Sequence, residues 1–545
     1  MDNDDLVVSQ DEYSPRGSSF GAINSDSLYQ QDDTEGNEEK LSKPQEQSYS
    51  RIFAFVYILN LIVGVGAIAM PKAIALAGWL LGLVLLIVLA LLSYMTATYV
   101  IEAMATANAY GKSKEKPEDR NMKTMTISRQ LFSSATLIEQ SSELQSPLIQ
   151  SSLTLTECVP SPSAYTINKR FELGDMANLF FNKLGIVLYY IAIILYLYGD
   201  MAIYLVTVPK SLVNVTCIIP HFVNSTLSIK ECYGFLLPIW LYRIYLVIFI
   251  VLLGPFLFFN LSKSKWLQLI TAIMRNVAFV MMILIALVYI ARGNYHIATV
   301  ANIAYLPNLF GVIIYAFMCQ HSLPGMITPL KRKKGVNLLI LFDYISVLLY
   351  YAALSFSAVF RFSPSEMEDV YTLNFFNIGF DPVSYYLALF PVFTLSTNFP
   401  IIGITLRENL KSLYGYFKCL IPSLVARFPI FDHWFIDKVI FPFLAMVPPF
   451  IIAFFTMDVE LLVGITGSYA GVCVQYLIPV ALVFASRRVI IRERGEYKNP
   501  HKSPFSHWIF LIGVVIWSVI CLILVTIDRL DFYFHFLEPS YNRTS

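Results

Sequence analysis

The chain has 545 residues, of which 56% are hydrophobic and 14% are charged, whereas about a quarter of the residues of a typical soluble domain are charged. The apolar residues gather in runs of about 20 or more, long enough to cross roughly 30 Å of hydrocarbon, so the composition excludes an ordinary soluble protein. A formal net charge of +1 indicates no strongly basic surface of the kind that binds nucleic acid.

The amino-terminal residues 1–50 are rich in Asp, Glu, Ser and Gln and contain no apolar signal-peptide core. Such a segment cannot bury enough apolar surface to offset its ordering entropy. We therefore expect a disordered cytoplasmic tail, followed by a first span that acts as its own targeting signal.

Eleven hydrophobic runs follow the tail. Because a backbone in lipid must satisfy its own hydrogen bonds, each run is predicted to be a helix. The predicted spans are 52–77, 79–104, 185–208, 235–258, 266–290, 304–328, 336–360, 384–406, 437–456, 459–485 and 507–527. The sequence thus predicts an all-α integral membrane protein, with helices 1 and 2 in 51–104, helices 3 to 11 in 185–527, and a lumenal or extracellular tail at 528–545.

A polar stretch separates the second and third predicted spans. Residues 105–184 are mostly Ser, Thr, Lys and Glu and predict a flexible cytoplasmic insertion. Its end, 171–183, spaces its apolar residues roughly as a helix does. It is either a short amphipathic helix on the membrane surface or a simple lead-in to the next span.

The basic residues predict the orientation in the membrane. Most of the 39 Lys and Arg residues, including the clusters at 331–334 and 487–494, fall on one side if the N-terminus is cytoplasmic. An odd number of spans then places the C-terminus in the lumen or outside the cell. The compartment, whether plasma membrane or endosome and lysosome, and the oligomeric state stay open.

The loop between predicted spans 3 and 4 carries two kinds of modification signal. Asn214 and Asn224 each begin a glycosylation sequon. Cys217 and Cys232 lie in the same loop, which is on the predicted oxidising side, where disulfides persist. We expect glycans on both asparagines and a disulfide between the two cysteines, although unpaired thiols are the alternative.

The first predicted span contains residues that interrupt a helix. Gly64 and Gly66 lie in mid-membrane and Pro71 follows, so the helix is weakened at three positions. An interrupted helix presents free N–H groups, which suit a carboxylate, and free C=O groups, which suit a cation. The alternative is a face of small residues for helix packing.

The sixth predicted span, five spans later, is interrupted in the same way by Gly311, Pro324 and Gly325. Transporters with inverted repeats place two discontinuous helices in corresponding positions of their two halves. The correspondence predicts a five-plus-five inverted repeat with broken helices 1 and 6, plus one extra helix.

The residues of these two spans resemble a known family. The pattern from Asn60 to Pro71 and the run Tyr-Ala-Phe-Met-Cys-Gln-His at 315–321 are similar to the amino acid/auxin permease family, although Gln320 interrupts its sixth-span signature. YLYGDMAIY at 196–204 and LVGITGSYAG at 462–471 resemble one orphan branch of it. The resemblance implies eleven spans, the bacterial-leucine-transporter core and, from the wider family, amino acid substrates.

The predicted sites follow from the broken helices and from the resemblance. The residues expected to contact the substrate are Ile62, Gly64, Gly66, Ala67, Tyr315 and Cys319. The resemblance implies that Asn60 and Thr394 or Thr397 contribute oxygens to a sodium site. A proton is the alternative coupling ion, and His321, whose ordinary pKa is near 6.5, is a candidate carrier.

Several charged residues lie within predicted spans, where each needs a partner or a cavity. Lys72 and Asp200 have similar predicted depths, so they are expected either to form an ion pair or to leave Lys72 extended toward the interface. Arg275 lies nearer the middle of its span. Asp343 lies near one surface and is expected to be interfacial.

These features together predict a secondary transporter of an amino acid or similar small zwitterion, in symport with sodium or protons. The alternative is a transporter-like amino acid sensor that signals through its cytoplasmic segments. The sequence contains no nucleophile elbow, phosphate loop or metal-site motif, so neither an enzyme nor a cofactor is expected. The expected partners are the lipid bilayer and a small substrate.

Overall fold

The computed structural model describes residues 49–114, 165–217, 237–259, 265–376, 381–420, 436–494 and 499–537. The predictions for residues 1–48, most of the insertion, Asn224 and Cys232 lie outside these ranges. Within the described ranges the regular structure is helical, apart from one isolated bridge between Tyr49 and Leu330. The predicted all-α class is therefore confirmed for this part of the chain.

The helices in chain order are α1 (Arg51–Ile62), α2 (Gly66–Ala77), α3 (Trp79–Lys114), α4 (Leu173–Phe180), α5 (Lys183–Thr216), α6 (Pro238–Leu253), α7 (Lys265–Ala291), α8 (Leu306–Ala316), α9 (Leu323–Ile327), α10 (Val336–Arg361), α11 (Asp381–Leu420), α12 (Phe441–Phe455), α13 (Val459–Thr466), α14 (Ile478–Arg494) and α15 (Trp508–Leu537). Short 3₁₀ helices lie at Gly254–Phe258, Ile303–Tyr305 and Tyr371–Phe375. Single π-helical turns lie at Ile436–Ile440, Gly467–Gly471 and Cys473–Leu477.

Nine helical segments of the described chain are long and apolar enough to cross a membrane. They are formed by α3, α5, α6, α7, α10, α11, α12, the continuous run from α13 to α14, and α15. The bent pair of α1 and α2 makes a tenth span if it is counted as one. The predicted span 304–328 is instead divided into the short helices α8 and α9, so the count of eleven stays a prediction.

Helix α4 forms at the end of the predicted insertion, where the sequence left a helix and a lead-in as alternatives. Glu172 and Asp175 form a capping box at its start. Its apolar residues, Leu173, Met176, Ala177 and Phe180, are buried, and α4 packs against α5 and α14. The helix therefore turns its apolar side to the protein.

The two interrupted helices pack against each other through α2 and α8. Helix α2 packs against α8 and α10, and α1 packs against α10. Ten of the twelve residues of α2 are buried, in contrast to three in α1. At Gly66 the backbones come so close that an added Cβ would lie 2.6 Å from the Cα of Ala316. Glycine is required there because no larger residue fits between the two broken helices.

Candidate functional site

The first helix break lies between α1 and α2, which are bent by 53°. Residues 63–65 are not helical. The N–H of Ala67 donates to Gly64 O at 3.2 Å, and that of Ile68 donates to Val65 O at 3.0 Å. The break falls where Gly64 and Gly66 predicted it, because glycine weakens the helix locally.

The second break lies between α8 and α9, at residues 317–322. The Gln320 side chain is buried in this break and donates to Ser93 O at 3.2 Å and to Thr96 Oγ1 at 3.1 Å. Its Oε1 accepts from the N–H of Cys319 at 3.0 Å. Gln320 thus satisfies the Cys319 N–H, which the interrupted helix leaves free, and ties the break to α3.

A cavity of about 180 Å³ lies between the two breaks. Its wall comes from both broken helices and from the neighbouring helices α5, α7 and α11. The residues that line it are Tyr57, Asn60, Leu61, Ile62, Gly64, Val65, Gly66, Tyr196, Asp200, Tyr204, Thr271, Arg275, Tyr315, Met318, His321, Ser322, Met326, Asn398, Ile401 and Ile402.

Asp200 is the carboxylate of this cavity. It lies on α5, is 6% exposed, and accepts a hydrogen bond from the hydroxyl of Tyr315 on α8. Among the described residues it forms no ion pair. A buried carboxylate held by a neutral hydroxyl keeps most of its capacity to bind a cationic group.

Arg275 is the guanidinium of this cavity. It lies on α7 and is 6% exposed. Its Nη1 donates to Asn60 O at 2.7 Å, to Asn60 Oδ1 at 3.1 Å and to Val63 O. Arg275 therefore caps the carbonyl end of α1, where the helix dipole favours a positive charge.

The structure brings only part of the predicted substrate site to the cavity. Ile62, Gly64, Gly66 and Tyr315 line it. Ala67 is fully buried and its N–H is bonded within the turn. Cys319 points to α10, where its sulfur lies 3.3 Å from the hydroxyl of Tyr344.

The three predicted sodium ligands are not assembled in the cavity wall. Asn60 lines the cavity, but both of its oxygens accept hydrogen bonds from Arg275. The hydroxyl of Thr394 donates to Phe390 O at 3.0 Å and that of Thr397 donates to Thr394 O at 2.9 Å. Their neighbour Asn398 is the α11 amide that lines the cavity. These residues do not fit a sodium ion.

The predicted ion pair between Lys72 and Asp200 is wrong. Lys72 pairs with Asp369 at 2.8 Å, and Lys210 pairs with the other oxygen of the same carboxylate at 2.5 Å. Lys72 and Asp200 have similar predicted depths, but depth alone does not bring two side chains together. Lys72 instead reaches Asp369, which lies in the segment between α10 and α11. Asp343 is fully buried, and its expected position near a membrane surface stays a prediction.

The Asp369 cluster, defined as Lys72, Lys210 and Asp369, lies apart from the cavity lining. Burial on its own raises the pKa of the Asp369 carboxyl, but the attraction of Lys210 and Lys72 outweighs burial and holds the pKa below its ordinary value. The cluster joins α2, α5 and the segment that follows α10.

Several cavity residues were not predicted, chiefly the tyrosines 57, 196 and 204, together with Thr271 and Arg275. A charge in the middle of an apolar run is the sequence signal that singles out Arg275. The tyrosines give no such signal, because aromatic residues are common throughout these spans.

Comparison with known proteins gives the family. Residues 48–140 match a family model described as "Transmembrane amino acid transporter protein". Transmembrane protein 104 of Gallus gallus is 44% identical over 493 residues, and that of Homo sapiens is 43% identical over 498. The homolog in Drosophila melanogaster is 38% identical over 524. These matches cover 88% of this chain and 96–97% of the relatives. The chain therefore belongs to the transmembrane protein 104 family.

Proposed function

We propose that this protein is a secondary active transporter of an amino acid or a similar small zwitterion. The observation that carries the proposal is one cavity lined by two buried charged side chains, the carboxylate of Asp200 and the guanidinium of Arg275. Among the described residues the two charges are not paired with each other. Buried charges are costly in a membrane unless they serve a ligand or a partner, and a zwitterion offers complementary charge to both signs. The match to the amino acid transporter model supports the same class.

The substrate ammonium group is proposed to meet Asp200, whose position is fixed by the Tyr315 hydroxyl. The substrate carboxylate is proposed to meet backbone N–H groups at 64–66, at the start of α2, because a helix N-terminus favours an anion. The positive charge of Arg275 lies in the same wall and attracts that carboxylate without bonding to it directly. Gly64 leaves room for this approach, since a Cβ added there would meet no atom closer than 3.9 Å.

The architecture that we propose is the five-plus-five inverted repeat with eleven spans. It counts α8 and α9 as one broken span, equivalent to the bent pair of α1 and α2. The two breaks line the same cavity, which is the arrangement that transporters of this design use. Helix α15 is then the extra helix.

Flux into proteoliposomes tests the proposal. The full chain is reconstituted and uptake is measured across an amino acid panel, with sodium and pH gradients varied separately. Uptake of at least one amino acid, lost in Asp200→Asn, is expected. If an amino acid raises the melting temperature of the protein but is not taken up, the result supports the alternative function as a sensor. If no amino acid raises the melting temperature and none is taken up, the result contradicts the proposed site.

The proposed orientation has a cytoplasmic N-terminus and a lumenal or extracellular C-terminus. Asn214 lies in the last turn of α5, so Asn224 is the sequon with the stronger expectation of a glycan. The proposed disulfide joins Cys217, at the end of α5, to Cys232. Gel mobility of Asn→Gln variants and mass spectrometry of non-reduced peptides test these assignments. Asn260 begins another sequon, at the predicted cytoplasmic end of a span, so a glycan there would reverse the orientation.

A further inference from the structure

We propose that Arg275 is a resident cation that takes the place of a sodium ion at the carbonyl end of α1. Occupation of the cavity then needs no sodium. The cation site can be tested without substrate, and only its consequence for transport rests on the proposed function.

The oxygens around Arg275 are the kind that bind a hard cation. Asn60 O at 2.7 Å, Asn60 Oδ1 at 3.1 Å and Val63 O converge on one nitrogen, Nη1. Two are backbone carbonyls released by the helix break and one is a side-chain amide oxygen. Unwound carbonyls and half-helix C-terminal ends are the groups with which discontinuous helices coordinate sodium.

The charge of Arg275 leaves no room for a second cation at these oxygens. The guanidinium is buried, and its hydrogen-bond partners are neutral. A sodium ion at the same oxygens would lie next to this positive charge in a medium of low dielectric, where like charges repel strongly. The oxygens are also already satisfied by N–H donors.

The proposed replacement of sodium by an arginine is specific to the position of Arg275 in the fold. Arg243 of α6 is a second arginine within a spanning helix, but its guanidinium packs over the rings of Trp240 at 5.1 Å and Phe454 at 4.5 Å. It is not part of the cavity wall. Arg243 is therefore a matched control for the loss of an intramembrane arginine.

The test measures the melting temperature of the purified full chain in sodium chloride and in choline chloride of equal ionic strength, without substrate. The wild type is expected to melt at the same temperature in both salts. Arg275→Ala leaves the three oxygens without their donor. It is expected to melt lower in choline and to recover by several degrees in sodium, with a response that saturates. Arg275→Lys and Arg243→Ala are expected to show no sodium-specific response.

Two results would overturn the inference. One is a saturable sodium-specific stabilisation of the wild type that Asn60→Ala removes. The other is a folded Arg275→Ala protein that responds equally to sodium and choline. If Arg275→Ala does not fold, the wild-type titration and Asn60→Ala still decide the question. Amino acid uptake that requires sodium would contradict the inference about Arg275 and leave the proposed function intact. Absence of any uptake would contradict the proposed function and leave the inference about Arg275 intact.

Discussion

Two groups of charges in this protein are organised in opposite ways. In the Asp369 cluster, one carboxylate pairs directly with two lysines, one on each oxygen. In the cavity, Asp200 and Arg275 line the same wall, but Tyr315 holds one and neutral oxygens hold the other. The Asp369 cluster is thus a tie between segments, whereas the role we propose for Asp200 is to bind a ligand and that for Arg275 is to hold the carbonyl end of α1.

The largest expected effect is a loss of ligand affinity when the charge of Asp200 in the cavity is removed. Asp200→Asn keeps an oxygen that can accept from Tyr315 but removes the charge for the substrate ammonium. Loss of one partner of a buried charge pair costs about 2 kcal/mol or more, which is roughly a 30-fold loss of affinity. The measurement is ligand-induced thermal stabilisation, with Asp369→Asn as the control. Equal ligand affinity in Asp200→Asn and wild type would contradict the proposed role of Asp200 in binding the ligand.

The wall of the cavity offers a matched pair of glycines. An added Cβ at Gly66 meets the Ala316 backbone at 2.6 Å, whereas at Gly64 the nearest atom lies 3.9 Å away. Gly66→Ala is expected to lower the free energy of unfolding by about 1–3 kcal/mol through overpacking. Gly64→Ala is expected to fold normally and to weaken ligand binding. Melting temperatures of the two variants decide this, and equal melting temperatures would contradict the close approach.

The Asp369 cluster should affect stability and leave ligand affinity unchanged. Asp369→Asn leaves two ammonium groups close together without their shared carboxylate. Because the lysine side chains are 23% and 24% exposed, the expected loss lies between that of exposed and fully buried pairs, about 1–2 kcal/mol. Lys72→Met combined with Asp369→Asn should cost less than the sum of the single changes. Additive losses would show that the tie contributes no coupling.

The smallest expected effect is a pH dependence of that tie. The pKa of Asp369 is lower in the folded protein than its ordinary value, so its contribution to stability is full above about pH 4 and is lost as pH falls through the folded pKa. The difference in melting temperature between wild type and Asp369→Asn should therefore stay constant from about pH 5 to 8. It should shrink only in stronger acid. A difference that shrinks near neutral pH would mean that Asp369 is not held ionised by the lysines.

Features that depend on local composition could be predicted from the sequence alone. Long apolar runs must be helical in lipid, so nine spans and the bent pair were predictable. The first break follows from Gly64 and Gly66, because glycine weakens a helix wherever it packs. The second lies at 317–322, between the predicted breakers, since Gly311 is inside α8 and Pro324 and Gly325 are inside α9. This is why Asn60, Ile62, Gly64, Gly66 and Tyr315 were found among the cavity residues.

Which charges meet and which side chains face the cavity depend on how the helices pack together. Lys72 and Asp369 are 297 residues apart, and Arg275 and Asn60 are 215 apart. Their pairing depends on the rotation and lateral position of whole helices, which hydropathy does not encode. The orientation of each helix about its own axis also explains why Cys319, Thr394 and Thr397 do not line the cavity. An apolar run gives the depth of a residue in the membrane, but packing against neighbouring helices fixes the direction in which it points.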